Sequence, residues 1–186
     1  MTEEIDYGPL KKLAGVWKGN KGLDVAPDPD GTEENPYHET ITFTPIGNVK
    51  NAEKQVLAVV RYHQVVQRKS NDEVFHDEIG YWMWDAQSNY IMHSVSIPRG
   101  VCVLAGAVYK DEMSAEGNSI IEVSASQDDK EWQIIQSPFM ENNAKTIAFN
   151  RRLEIGNDKM KYSQTTMVEI YGKTFEHTDE NELTLQ

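Results

Sequence analysis

Polar and apolar residues along this chain alternate far more often than they recur at three- or four-residue intervals. The clearest case is Phe75-His76-Asp77-Glu78-Ile79-Gly80-Tyr81-Trp82-Met83-Trp84-Asp85. His76, Glu78, Gly80, Trp82 and Trp84 share one face, and Phe75, Asp77, Ile79, Tyr81 and Met83 share the other, which is the period of a strand. Large side chains on both faces predict a strand buried or half-buried on each side, as in a barrel wall around a lined cavity.

The same period recurs along the chain. Strands are predicted at Val16–Gly19, Tyr37–Thr44, Gln55–Gln67, Tyr90–Ser96, Val101–Tyr109, Ser119–Ser126, Thr146–Ile155 and Lys159–Tyr171, with a short final strand after Phe175. Turn residues separate them: Ser70-Asn71-Asp72, Ser88-Asn89, Pro98-Arg99-Gly100 and Gly156-Asn157-Asp158. Residues 7–14 predict one or two helical turns, with Pro9 in the first turn, Leu10 and Leu13 on one side and Gly15 as the stop. The Pro/Asp/Gly-rich stretch Asp24–Asn35 reads as an irregular loop. Residues 127–145, with Trp132 and Pro138-Phe139-Met140, fit a strand, a turn or a capping segment equally well. A meander this long has exposed edges unless it closes. The expectation is therefore an all-β fold: one domain over residues 1–186, an antiparallel up-and-down β-barrel of about ten strands with a short N-terminal helix. Such a barrel is wider than the eight-stranded kind that side chains fill, so it has room for a ligand.

Composition narrows the partners. The chain has 186 residues, 18 Lys+Arg against 30 Asp+Glu, and a formal net charge of −12. That surface repels nucleic-acid backbones and anionic membranes. No apolar run approaches the roughly 20 residues needed to span a bilayer. The start, Met1-Thr2-Glu3-Glu4-Ile5-Asp6, has neither the basic nor the apolar segment of a signal peptide, so a cytoplasmic location is expected. The lone Cys102, between Val101 and Val103, excludes an intrachain disulfide and reads as a buried, inert thiol.

Chemistry-bearing residues are sparse. The histidines at 38, 63, 76, 93 and 177 are far apart, and no HExxH or CxxC pairing occurs, so spacing alone supports no metal site made of protein ligands. The chain has no GxSxG nucleophile elbow, and the glycines of Gly15–Gly22 lack the lysine and helix of a phosphate loop. His76 and Glu78 share a strand face and suit either a proton-handling pair or a hydrogen-bonded pair that satisfies the wall. His177, in Phe175-Glu176-His177-Thr178-Asp179-Glu180, suits either an axial heme ligand or a solvated histidine in an acidic tail. The tryptophans and Met83, Met92, Met160 and Met167 suit core packing or the walls of an apolar ligand site.

Several motifs together resemble the nitrobindin-like, heme-binding β-barrel family, similar in shape to fatty-acid-binding proteins and lipocalins. Leu13-Ala14-Gly15-Val16-Trp17-Lys18-Gly19 looks like the family's opening L-x-G-x-W-x-G, and Tyr37-His38-Glu39-Thr40-Ile41-Thr42-Phe43 like its Y-x-E-x-x-x-F. His76-Asp77-Glu78-Ile79-Gly80-Tyr81 resembles its H-x-E-x-G-Y/F strand, and Gly100, Gly106 and Tyr109 follow in similar order. The resemblance implies a ferric b-type heme held axially by His177, with His76 near the pocket and Met167 ten residues before the ligand. It implies NO binding and isomerisation of peroxynitrite to nitrate. The chain departs from the family's pattern in the longer Asp24–Asn35 segment and in the acidic residues after His177. Two further readings stand beside it: a heme-free carrier of a small apolar or amphipathic molecule, and a barrel that serves only as an interaction scaffold. A homodimer stays open.

Overall fold

A computed structural model describes residues 5–186; the charged start Met1–Glu4 lies outside them. A 3-10 helix (Gly8–Leu13) precedes β1 (Gly15–Asp28), β2 (Gly31–Asn51), β3 (Gln55–Arg68), β4 (Val74–Asp85), β5 (Tyr90–Ile97), β6 (Val101–Val108) and β7 (Ser119–Ser126). Then come β8 (Ile134–Gln136), the short helix α1 (Pro138–Asn143), β9 (Ala144–Ile155), β10 (Lys159–Ile170) and β11 (Lys173–Leu185). The strands pair antiparallel in the order β5-β4-β3-β2-β1-β11-β10-β9-β7-β6, and β5 pairs with β6 to close the ring. This is the ten-stranded barrel that the alternating pattern predicts, with β8 added along β6. The seam between β6 and β7 rests on one residue pair, Gly106 with Ser124.

Four expectations change. Asp24–Asn35 is not an irregular loop: β1 and β2 pair without interruption from Gly22 with Tyr37 to Asp28 with Gly31, a hairpin whose turn holds Pro29 and Asp30. Proline is tolerated there because the hairpin projects beyond the ring and leaves backbone N–H positions unneeded. The final strand is long rather than short, and His177 lies within it. Large side chains on both faces of β4 do not mean burial on both: Trp82 and Trp84 face inward and are buried, whereas Ile79 and Tyr81 stand on the outer face, 53% and 43% exposed. Cys102 is likewise exposed, because Val101 and Val103 take the inward positions of β6.

The interior is layered along the barrel axis. At one end Leu10 and Leu13 of the 3-10 helix are fully buried, and the Leu13 carbonyl accepts the Trp17 indole N–H at 2.8 Å, so the helix acts as a plug. Above it lies an apolar layer of Trp17, Phe43, Trp82, Phe149, Leu153 and Met160. At about 25 cal/mol per Å² of apolar surface removed from water, this layer is the main driving force for closure. Next comes a polar layer, from Glu39, Gln64, Glu78, Arg151, Gln164 and Asn181, all buried. The far end is hollow. Among the described residues no helix is long and apolar enough to cross a membrane.

Candidate functional site

The polar layer forms the floor of the hollow end. Arg151 on β9 donates from Nη1 to Glu78 Oε1 at 2.7 Å and from Nε to Gln164 Oε1 at 2.8 Å. Tyr62 O–H donates to the same Glu78 oxygen at 2.6 Å. Glu39 accepts from Gln64 at 2.6 Å and from Asn181 at 2.7 Å. Burial pushes the Glu78 carboxyl up, but the Arg151 charge and the His76 hydrogen bond outweigh it and hold the group far below its usual range. Glu39 has no cation so close, and burial pushes it up to about 7 against its amide donors.

Above the floor lies a cavity of about 340 Å³, at the low end for small-molecule pockets. Phe75, Val66, Val101, Val168 and Ile170 give it apolar walls, while Arg68, Arg99, His76, His177, Asp24 and Asp179 give it charge. The period-2 geometry explains the set: successive inward positions of β3 are Tyr62, Gln64, Val66 and Arg68, and those of β4 are Trp82, Gly80, Glu78 and His76. One strand thus contributes core at one end and site at the other. The tryptophans of β4 are core and take no part in the cavity lining.

His177 projects from β11, half-buried, and its Nε2 lies 2.6 Å from Asp24 Oδ1 and 3.7 Å from Asp179 Oδ2. A carboxylate only accepts, so Nε2 carries the proton shared with Asp24. Burial pulls the His177 pKa down, yet the Asp24 hydrogen bond and the two carboxylate charges outweigh it and raise it. The opposite balance lowers Asp24: burial opposes ionisation, but His177 and the Asn35 amide favour it. Asp179 lacks the close contact, and burial pushes it up to about 6. His76 Nε2 reaches Glu78 Oε2 at 3.3 Å; the pair overcomes burial and raises the imidazole pKa.

The structure brings His76 and His177 to one cavity. Met167 sits between Thr166 and Val168, which line the cavity, and so its side chain is on the opposite face of β10 and outside the lining. Sequence spacing missed Asp24, Asp179, Arg68, Arg99 and Arg151. Asp24 and Asp179 meet because they are direct partners in the β1–β11 register, 155 positions apart in the chain. The family's opening and closing strands were readable, but their pairing was not a local signal. A larger depression of about 930 Å³ lies elsewhere, on the outer face of the wall beside Ile79, Tyr81, Leu104 and Ile135, and holds none of these groups.

The residues fit heme in kind. Imidazoles line a cavity with apolar walls, and of its three arginines Arg68 and Arg99 suit carboxylate side arms, Arg151 being paired with Glu78. The Asp24 hydrogen bond is what an iron at Nε2 must displace.

Comparison with known proteins agrees with this geometry. No curated protein matches the chain. Among solved structures, the crystal structure of Rv2717c from M. tuberculosis superposes with a TM-score of 0.66 over 97% of this chain and 99% of that one. The two are 19% identical in sequence, so the likeness speaks for the fold. The sequence model of the THAP4-like, heme-binding β-barrel domain matches residues 6–184, and the chain belongs to that family.

Proposed function

We propose that this chain holds a b-type heme through His177 and acts on reactive nitrogen species, binding NO and isomerising peroxynitrite to nitrate. The observation that carries the reading is that His177 lines the internal cavity of a chain belonging to a heme-binding domain family. A bound ferric heme would supply a Lewis acid at its iron. The rest is the work of this chain's own residues. His177 offers Nε2 as the ligand atom once its hydrogen bond to Asp24 Oδ1 is broken. Arg68 and Arg99 bind carboxylates at the cavity. His76, held by Glu78 through Nε2, adds an imidazole to the lining of the same space. Phe75, Val101 and Val168 give the cavity apolar walls that would exclude water from a bound apolar ring.

The test is a hemin titration followed by the Soret band. The wild-type protein is expected to saturate at one heme per chain, and His177→Ala to lose the sharp band. A broad band shared equally by both proteins refutes the assignment.

One observation favours a second reading, a heme-free carrier of a small amphipathic molecule. His177 Nε2 is already engaged by Asp24 at 2.6 Å, and a cavity of about 340 Å³ suits a ligand smaller than a porphyrin. Apolar fluorescent ligands displaced by candidate molecules, with no Soret response to hemin, would separate this reading from the first.

A further inference from the structure

We propose that Asp24, His177 and Asp179 form a binding site for a divalent transition cation of the Zn2+ class, independent of heme, with the remaining coordination position facing the cavity.

The sheet geometry builds the site. Asp24 and Asp179 are direct partners on adjacent antiparallel strands, so their side chains leave the ribbon side by side on one face. His177 is two residues from Asp179 and shares that face. One ligand atom from each lies within 4.8 Å of the other two, and all three residues line the cavity. Tetrahedral zinc with ligands near 2.0–2.1 Å keeps its donor atoms about 3.3 Å apart. The two His177 distances, 2.6 Å and 3.7 Å, bracket that separation and the carboxylate pair lies within 4.8 Å, so a cation needs shifts of about 1.5 Å or less.

The local charge is unbalanced without a cation. Like charges directly across a strand pair repel. Among the described residues, no lysine or arginine lies within ion-pair distance of Asp24 or Asp179; His177 is the one cationic partner of both. The arginines of the cavity have other partners: Arg151 holds Glu78, Arg68 holds Asn35 and stacks on the Phe75 ring, and Arg99 donates to the Phe75 carbonyl oxygen. The carboxylates are also held as metal ligands usually are, by outer hydrogen bonds. Asn35 Nδ2 donates to Asp24 Oδ2 at 2.8 Å, leaving Oδ1 turned to the imidazole, and Arg68 in turn holds the Asn35 carbonyl oxygen. Gln164 donates to Asp179 and accepts from Arg151. One imidazole with two carboxylates is a donor set for Zn2+, Mn2+ or Fe2+ and is too hard for Cu+. Three protein donors leave a fourth position for water or an anion.

The site and the heme reading share His177 but differ at Asp179, which makes them separable. The experiment is calorimetric titration of the chelator-treated full chain with ZnCl2, alongside hemin titrations of the same samples. The expected result is one Zn2+ per chain. His177→Ala, Asp179→Asn and Asp24→Asn should each weaken Zn2+ binding at least tenfold. Asp179→Asn should keep its hemin response, which also shows that this variant is folded; Asp24→Asn is the second variant should it not fold. Zn2+ added first should block hemin in the wild type. Absence of Zn2+ binding, or affinity unchanged in Asp179→Asn and Asp24→Asn, overturns the site. Zn2+ binding with no Soret band in any sample leaves the site standing and refutes the heme assignment instead.

Discussion

Arg151 Nη1 and Glu78 Oε1 meet at 2.7 Å in the middle of the barrel, with side chains 6% and 1% exposed. The pair lies in the buried polar layer between the apolar core around Trp82 and Leu153 and the cavity lined by His76 and His177. Removing one partner leaves a buried charge without compensation, which costs about 3–5 kcal/mol. Arg151→Met and Glu78→Gln should therefore each lower stability by about that amount in urea unfolding. The double variant should cost clearly less than the sum of the two, since neither charge is then stranded. Additive costs would mean that the pair is not a coupled unit.

Asp24 controls access to His177. The hydrogen bond at 2.6 Å involves a carboxylate, and such bonds contribute about 1.5–3 kcal/mol. A ligand that needs Nε2 must break it. Asp24→Asn should therefore raise hemin affinity about tenfold, since about 1.4 kcal/mol corresponds to a factor of ten. The same substitution should weaken Zn2+ binding, so the two titrations are expected to move in opposite directions. Parallel losses in both would place Asp24 among the determinants of heme binding instead.

Gly80 on β4 lies tight against Ser94 of β5. A Cβ at that position would stand 1.9 Å from the Ser94 carbonyl oxygen and 3.0 Å from the Tyr62 ring. The first contact is backbone and cannot rotate away. Gly80→Ala should cost about 1–3 kcal/mol through overpacking, and a thermal melt should fall by several degrees. Because Tyr62 donates to Glu78, the shift should propagate to the cavity floor and weaken hemin binding as well.

The barrel was legible because closure depends on a local signal, alternation, repeated ten times. Half of the candidate site was legible for the same reason. His76 and Glu78 sit two apart on one strand, and their shared face follows from the period alone. The other half depends on which strands become neighbours. Asp24 looked like part of an irregular loop because Pro27 and Pro29 argue against a central strand, but the projecting hairpin does not need their missing N–H groups. Asp179 looked like solvated acid near the C-terminus. Only the β1–β11 pairing, which closes the ring, turns the two into neighbours. Met167 shows the converse: its spacing from His177 is right, but parity on β10 puts it outside the cavity lining.

Two buried groups give opposite pH dependences that partly conceal each other. Glu39 has a folded-state pKa of about 7 against 4.5 for the ordinary group, because burial disfavours its charge. Between these values the folded chain holds the extra proton, so this contribution stabilises at low pH and is lost as pH rises toward 7. Across that window the contribution is on the order of 3 kcal/mol. His93 works the other way. It is fully buried, stacked on Trp82 at 3.9 Å between ring centroids, and among the described residues neither nitrogen has a hydrogen-bond partner. Burial holds its pKa well below 6.5, and the Arg151 charge adds to this. The unfolded chain then takes the proton first, so stability falls as pH drops below 6.5. Between about pH 4.5 and 6.5 each contribution changes by up to about 1.4 kcal/mol per pH unit, with opposite signs. Glu39→Gln should expose the His93 slope, giving a protein that loses stability on acidification relative to wild type. His93→Phe should expose the Glu39 slope and gain stability on acidification. It should also be more stable than wild type near neutral pH by about 1–3 kcal/mol, because two unsatisfied buried nitrogens are removed while the stack on Trp82 is kept. Urea unfolding of the three proteins at half-unit pH intervals reads both slopes directly; identical pH profiles for all three would show that neither group titrates as its burial requires.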